Sequence, residues 1–438
     1  LSYASTGTAN NFIVKLSGSD YVSFEDLTMK NTGTTYGRVL DIGAGSDNNR
    51  FENCHLHTIT STSTSTNSAV IYSQNGNDND NVFMNNIMEG GSYGAYWQGT
   101  GTTSLESGTI FEGNTFLDNY RYGLRLYYQD APVAVGNKVI GNSTYTGTRY
   151  GFYAGYCDNG FVFTDNEIAG TATTGWRYGM YIFNCDASVA NRSILANNMS
   201  QAGQSGITST FYGIYFSNNG YVDIEHNSAA VTDGGASSRA FYGTGGGGST
   251  LMNNMFANYT AGYAIYLASP YTMSASDNNL LHSPLGNVGY FGATNQATLL
   301  DWQTASLFDA NSIDMDPMFH SPYNLHVCND SVKGLGAPIA SITMDIDGHT
   351  RDAANPDMGA DEFSDLTTNF LGADEVFCLG DSVLLWAGAP TDAILWSTGD
   401  TTSMIWVSTA GTYDVSINSV CGIANDTIVV SLSADVYS

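Results

Sequence analysis

Positive charge is scarce in this chain. Lys and Arg make up 13 of its 438 residues against 41 Asp and Glu, for a net charge of −28. Phosphate contacts need a basic footprint, so nucleic acid is a poor partner, as is an anionic membrane surface. An acidic chain is instead soluble and attracts Ca²⁺. No apolar stretch is long enough to span a bilayer, so direct membrane insertion is not expected. The seven histidines (His55, His57, His226, His282, His320, His326 and His349) form no metal-ligand motif, although His55 and His57 alternate and could share a strand face. No Ser-His-Asp set or Gly-rich phosphate loop stands out, and paired acids for hydrolysis cannot be singled out among so many aspartates. There is no signal peptide, and the chain starts at Leu1 rather than Met. A processed chain or a piece of a longer precursor is expected, with residues 434–438 leading to a further segment.

What the chain has is a repeat of about 28 residues carrying two strands. The first reads Tyr-Gly-apolar-Tyr-apolar, as at Tyr93, Tyr150, Tyr178 and Tyr212, with a variant at Tyr122 and weaker copies at Tyr36 and Tyr263. The second reads apolar-x-x-Asn, ending at Asn86, Asn114, Asn166, Asn198, Asn227 and Asn254, with near copies at Cys54 and Asn278. Apolar residues alternate within each strand, placing Tyr178, Met180 and Ile182 on one side and Gly179 and Tyr181 on the other. Clusters of Gly, Asn, Asp and Ser separate the strands, and no sustained helical period runs through the repeats. Parallel strands stacked coil on coil remain: nine or ten coils over residues 1–294, advancing ~4.8 Å each. The repeated Asn reads as a corner residue tolerant of left-handed backbone and as a hydrogen-bonded ladder.

A solenoid aligns equivalent positions on its surface. One residue before the tyrosine stand Arg121, Arg149 and Arg177, with Arg239 continuing the column after a gap. Three residues after it stand Arg125, Tyr153 and Tyr181, flanked by Tyr96 and Tyr215. Guanidinium forks favour carboxylate or sulfate, and tyrosines offer flat faces, so this strip reads as a binding face for sugar, including acidic polysaccharide. The alternative is that each Arg lies over a tyrosine or pairs with an acid of another strand. Eight residues after the tyrosine stand Asp130, Asp158 and Asp186, which either close a corner or hold Ca²⁺. The one lyase-like arrangement that can be assembled is Arg125 beside Asp130 and Asp158. Cys157 and Cys185 stack in adjacent coils within disulfide range, although two buried thiols would serve almost as well. Cys378 and Cys421 flank the C-terminal module and could staple it. Disulfides would imply an oxidising, extracytoplasmic setting.

Residues 295–363 change style, with one helix expected over 295–305 and Thr294 as its N-cap. This segment is expected to cover the open end of the solenoid. Asp345, Asp347 and Asp357 could tie it with Ca²⁺, or Arg351 could pair with them. Residues 364–433 alternate as short strands and suggest a small β-sandwich.

Asp301-Trp-Gln, Asp309-Ala-Asn-Ser, Asp316-Pro, Asp345-Ile-Asp-Gly and Asp357-Met-Gly-Ala-Asp-Glu-Phe resemble the closing segment of right-handed parallel β-helix proteins of the pectate-lyase type. Cys378-Leu-Gly-Asp-Ser-Val, Leu395-Trp-Ser-Thr-Gly-Asp-Thr-Thr, Gly411-Thr-Tyr and Cys421-Gly look like the Ig- or PKD-like modules of Bacteroidota surface proteins. The combination is similar to that phylum's large repeat-bearing adhesins, including gliding-motility adhesins exported by the type IX system. Asp381-Ser-Val and Asp426-Thr-Ile resemble its O-glycosylation sequon. The resemblance implies an all-β fold, a right-handed parallel β-helix solenoid with a C-terminal Ig-like β-sandwich, at the cell surface. The expected role is a stiff, non-catalytic adhesin rod whose partners are polysaccharide or cell-surface glycan and neighbouring repeats, with the Ig-like module as spacer. The alternatives are a Ca²⁺-dependent polysaccharide lyase or glycosidase and a passive stalk. The family's enzymes carry Arg or Lys with clustered aspartates on the β-helix face, and no such motif is matched here.

Overall fold

The repeat folds as its strands require. In the computed structural model, which describes residues 1–74, 76–141, 145, 147–171, 175–363, 371–387, 393–419 and 422–433, the chain winds into a parallel β-helix. Each coil contributes three strands. One coil runs Tyr93–Gln98, Ile110–Glu112 and Thr115–Leu117; its successor runs Tyr122–Asp130, Val133–Val135 and Lys138–Ile140. The strands following the ladder asparagines form an 11-stranded sheet, here the third face. The other two strands of each coil, on the tyrosine face and the middle face, merge into a 22-stranded sheet. The merger is visible in Arg239–Met252, one strand that turns the corner between the two faces.

The bore fills with like on like. Phe24, Phe51, Phe83 and Phe111 stack in successive coils at 4.6–5.2 Å between ring centroids. Beside them runs an amide ladder. Asn86 Nδ2 donates to Asn114 Oδ1 at 3.0 Å, and the chain continues through Asn137, Asn166, Asn198, Asn227 and Asn254 to Asn279. Each Oδ1 also accepts the backbone N–H of the Asn one coil before it, as Asn198 does from Asn166 at 3.1 Å. Two details differ from the sequence pattern. Asn137 belongs to the ladder, and its last Asn is Asn279 rather than Asn278, because Ser276 and not Ala275 pairs with Leu251. The left-handed backbone lies one residue earlier, at Asn53, Asn85, Asp165, Asn197, His226, Asn253 and Asn278.

A second polar column lines the bore at the opposite corner. Glu106, Gln129 and Cys157 lie in register, Cys157 N–H donates to Cys185 Sγ at 3.2 Å, and Cys185 N–H donates to Asn219 Oδ1 at 2.8 Å. Cys157 and Cys185 are free buried thiols rather than a disulfide, each engaged as a ladder residue. Cys378 is also free, so it does not staple the module; Cys421 lies outside the described residues, and Cys328 is disulfide-bonded.

The tyrosine after which the face is named departs from simple alternation. Tyr178 turns outward and packs edge-on against Tyr181, 5.0 Å away, while Met180 and Ile182 enter the core. Gly179 makes this possible: a Cβ there would lie 2.2 Å from Ser200 Oγ and 2.7 Å from the Gly213 carbonyl of the next coil. Gly151 is in the same position, with Ile168 at 2.3 Å and the Gly179 carbonyl at 2.8 Å. Glycine therefore recurs because the coils approach too closely there for any side chain.

The end of the rod is covered by an α-helix, Leu299–Ser306. It starts at Thr298 and not at Thr294, because Asp301 completes a capping box with Thr298, while Thr294–Gln296 pairs antiparallel with Asn287–Phe291. Trp302 packs over Gly289 and donates Nε1–H to Asp309 at 2.7 Å. Asp309 also accepts from Asn279, Ser276 and Ser312, which terminates the amide ladder.

The rest of the expected end cap goes elsewhere. Residues 319–363 lie along the third face, where Phe319, Leu325 and Met358 pack on Met199, Met255 and Leu280. Arg351 pins them there, donating to Asn197 Oδ1, the Gly359 and Ala360 carbonyls and Glu362. The C-terminal module has a four-stranded and a two-stranded sheet around Trp396, Ile394 and Leu385. It too lies against the third face, with Trp406 stacked on His55 at 5.0 Å, Lys138 over Trp386 at 4.7 Å and Thr28 donating to Asp381 at 2.9 Å. A cleft of about 780 Å³ separates the two. Here the module folds back along the rod.

Two stability predictions follow from the bore. Asn198→Ala removes a ladder rung and leaves the buried Asn166 N–H unpaired, so chemical denaturation should show a loss on the order of 2 kcal/mol. Glu106 is fully buried, and burial, reinforced by Asp78, pushes its carboxyl up to about 9. A raised folded-state pKa means stability is present at low pH and is lost as pH rises from the ordinary Glu value to about 9. Glu106→Gln should therefore gain on the unaltered chain between pH 5 and 9, and a pH-independent difference would refute the assignment.

Candidate functional site

The tyrosine face carries two parallel files of rings. Tyr93, Tyr122, Tyr150, Tyr178 and Tyr212 stack at 4.7–4.9 Å with interplanar angles of 4–10°. Beside them run Tyr72, Tyr96, Arg125, Tyr153, Tyr181, Tyr215, Tyr242, Tyr266 and Tyr290, all in strand register. In this second file Tyr153 and Tyr181 stack at 5.2 Å and Tyr181 and Tyr215 at 4.5 Å. Rings of one file meet the other edge-on, as Tyr150 meets Tyr153 at 5.2 Å. The ring faces are thus turned to each other along the rod axis. Flat faces offered to sugar, expected from the sequence, are not what the surface presents; it presents ring edges and hydroxyls. Burial raises the pKa of Tyr122, Tyr153 and Tyr181, so these phenols stay protonated and act as neutral hydrogen-bonding groups.

Each file is interrupted by one arginine. Arg125 takes a ring position and lies 4.2 Å from the Tyr96 centroid, 4.5 Å from Tyr127 and 5.6 Å from Tyr153. Arg239 does the same in the other file, registering with Tyr212 and Tyr263. It stands 4.1 Å from Tyr266 and donates to Tyr212 Oη at 2.9 Å. Arg239 therefore occupies the tyrosine position and does not continue the column of Arg121, Arg149 and Arg177. That column itself divides. Arg121 sits 5.2 Å from Tyr122 and Arg177 5.9 Å from Phe211, both half-buried at the edge of the face. Arg149 is 1 % exposed, lies 4.3 Å from Trp176 and donates to the Gly175 carbonyl; burial lowers it to about 10. It is not a surface ligand, because Trp176 covers it.

Four of the nine arginines hold a carboxylate: Arg38 with Asp41, Arg50 with Glu52, Arg192 with Asp223 and Arg351 with Glu362. Among the described residues, Arg121, Arg125, Arg149, Arg177 and Arg239 hold none. Buried nitrogens of all five, including Arg125 Nη1 and the Nε atoms of Arg121, Arg177 and Arg239, have no hydrogen-bond partner.

Tyr127, Tyr128, Tyr156 and Phe183 widen the aromatic patch and were not singled out from sequence. Tyr127 and Phe183 close over Gly155, where a Cβ would lie 2.3 Å from Phe183. Tyr128 and Tyr156 both have positive φ, 59° and 52°, as does Asn184 at 50°. These three stand 28 apart in sequence, which was the available signal.

The aspartate column forms corner rungs. Asp158 accepts the Asp186 N–H at 2.8 Å, and Asp130 accepts Asn159 Nδ2 at 2.7 Å. Burial raises Asp158. Of the lyase-like arrangement, Arg125 is engaged with the rings of Tyr96, Tyr127 and Tyr153, and Tyr128 turns the strand between it and Asp130. Arg351 pairs with Glu362 rather than with the carboxylates of Asp345, Asp347 or Asp357. His55 and His57 do share a face, both directed at Glu89, at 2.7 and 4.0 Å.

No curated protein matches the chain. Residues 13–177 match the family model described as a right handed beta helix region, and the rod is a right-handed parallel β-helix.

Proposed function

We propose that this chain is an extracellular, non-catalytic adhesin segment: a stiff β-helical rod whose tyrosine face contacts an acidic polysaccharide. The observation that carries the reading is the set of half-buried guanidiniums on that face without a carboxylate partner, Arg121, Arg125, Arg177 and Arg239. In a chain of net charge −28, acids are available to neutralise every arginine, as they do for Arg38, Arg50, Arg192 and Arg351. Guanidinium forks left open among tyrosine hydroxyls suit carboxylate or sulfate groups on a hydroxyl-rich polymer. Because the ring faces are already stacked, recognition proceeds through hydrogen bonds and charge. The cell-surface setting, the adhesin role, export by a type IX system and the neighbouring repeats rest on the resemblance to Bacteroidota adhesins. The acidic remainder of the rod would repel an acidic glycan elsewhere and confine it to this face.

A glycan-array screen of the purified chain, with and without Ca²⁺ and followed by product analysis of each hit, tests the reading. Acidic glycans should bind without turnover, and binding should weaken as salt rises. The double variant Arg125→Ala/Arg239→Ala should lose about ten-fold in affinity, the scale of one charge-assisted contact. Arg149→Met should leave binding unchanged. Full affinity in the double variant overturns the assigned face. Release of unsaturated or reducing-end products replaces the reading with a lyase or glycosidase, and absence of any hit leaves a passive stalk.

A further inference from the structure

The accessible cations of the tyrosine face recur at a fixed step along the rod. Tyr122, Tyr150, Tyr178, Tyr212 and Arg239 hold one position in five successive coils. Arg121 therefore belongs to the first of these coils, Arg177 to the third and Arg239 to the fifth. The second coil brings Arg149, but that side chain is 1 % exposed beneath Trp176. The fourth has buried Phe211 in the place before its tyrosine. No Lys or Arg occurs in the tyrosine-face strands of those two coils, Tyr150–Asp158 and Tyr212–Gly220. Arg125 shares the first coil, in the other file, so it adds charge there without changing the step. Outward positive charge thus comes on every second coil, ~10 Å apart, and not on each one.

An extended polysaccharide has a step of its own. One pyranose advances about as far as one coil, so a glycan lying along the rod axis sets one sugar over each coil. On the second and fourth coils the second file of rings supplies Tyr153 and Tyr215, whose phenols burial keeps protonated. They are partners for hydroxyl or amide groups and not for a bare carboxylate alone. A glycan with an acid on every sugar would set alternate carboxylates over coils without an accessible cation, and a charge desolvated without a partner is costly.

We propose, resting on the reading that this face binds an acidic glycan, that the ligand is a polysaccharide with a disaccharide repeat, anionic on every second sugar, lying parallel to the rod axis. Arg121, Arg177 and Arg239 take three successive anionic groups, each guanidinium having a buried Nε without a hydrogen-bond partner. Tyr153 and Tyr215 hydrogen-bond the uncharged sugars between them. The burial of Arg149 is then a specificity device, because an exposed guanidinium there would halve the step.

The test is calorimetric titration of the full chain, at fixed ionic strength, with two probes of equal length. A hyaluronan hexasaccharide alternates uronate with an uncharged amino sugar; hexagalacturonate carries a carboxylate on every sugar. Charge attraction alone ranks the hexagalacturonate first. The expected result is the reverse, with the hyaluronan hexasaccharide about ten-fold tighter, the scale of one charge-assisted contact. A hyaluronan tetrasaccharide, one uronate shorter, should bind about ten-fold more weakly than the hexasaccharide. Arg239→Gln should remove that gain and leave tetrasaccharide binding nearly unchanged, because Arg121 and Arg177 still hold it. Arg177→Gln breaks the step in the middle and should weaken both lengths, with the melting temperature of each variant checking that it folds. Hexagalacturonate binding as tightly as the hyaluronan hexasaccharide, or more tightly, overturns the alternating repeat and leaves the acidic-glycan face standing. Binding of neither probe, or binding indifferent to Arg177→Gln, overturns the face itself and this proposal with it.

Discussion

In a parallel β-helix every side chain lies ~4.8 Å from its counterpart in the coil above and the coil below. A residue type is admissible at a position only if it tolerates a near copy of itself at that distance. Phenylalanine does so by stacking, and Phe24 to Phe111 fill the bore that way. Asparagine does so because its amide donates upward while its oxygen accepts from below, which makes the ladder from Asn86 to Asn279 self-satisfying within the bore. Glycine does so at Gly151 and Gly179 by having nothing to collide. Tyrosine meets the rule on the outside, with its hydroxyl toward solvent and both ring faces covered.

Charged residues fail the rule, since like charges ~4.8 Å apart repel. The arginines of the tyrosine face show the available solutions. Arg125 and Arg239 each stand singly in a file of rings, so the neighbours above and below are aromatic and attract a cation. In the column of Arg121, Arg149 and Arg177, the middle member leaves the surface and tucks under Trp176. What was read as a continuous positive strip is therefore a set of separated guanidiniums. Their aromatic neighbours stabilise the charge without neutralising it, which leaves them able to meet an anion from outside.

Much of this rod was legible because the rule is written into the repeat. The period, the parallel stacking and the amide ladder all come from residues that must recur. The exceptions share a cause. Alternation placed Tyr178 beside Met180, but Gly179 packs so tightly that the tyrosine swings outward, and no count of alternating residues encodes that contact. Burial of Arg149 depends on its contact with Trp176, which has no counterpart in the repeated motif. Thr294 looked like a helix cap until the hairpin beside it and the Thr298–Asp301 capping box took precedence. The disulfide expected of Cys157 and Cys185 gave way because the sulfur of Cys185 already serves as a ladder acceptor.

The folding back of the C-terminal segments was written in the strands that receive it. Along the outward positions of the third face, the later coils present Met199, Ala230, Met255 and Leu280, which water would not favour. The earlier coils present Thr28, His55 and Lys138, which are polar yet able to lie against a tryptophan. The apolar half takes the apolar residues of 319–363, and the polar half takes a module that approaches with Trp386, Trp406 and Asp381 and leaves a cleft. With that face occupied by the chain itself and the helical end closed by Trp302, lateral contact is left to the tyrosine face and the middle face. The unpaired guanidiniums are concentrated on the first of these, so the open surface and the uncommitted positive charge coincide.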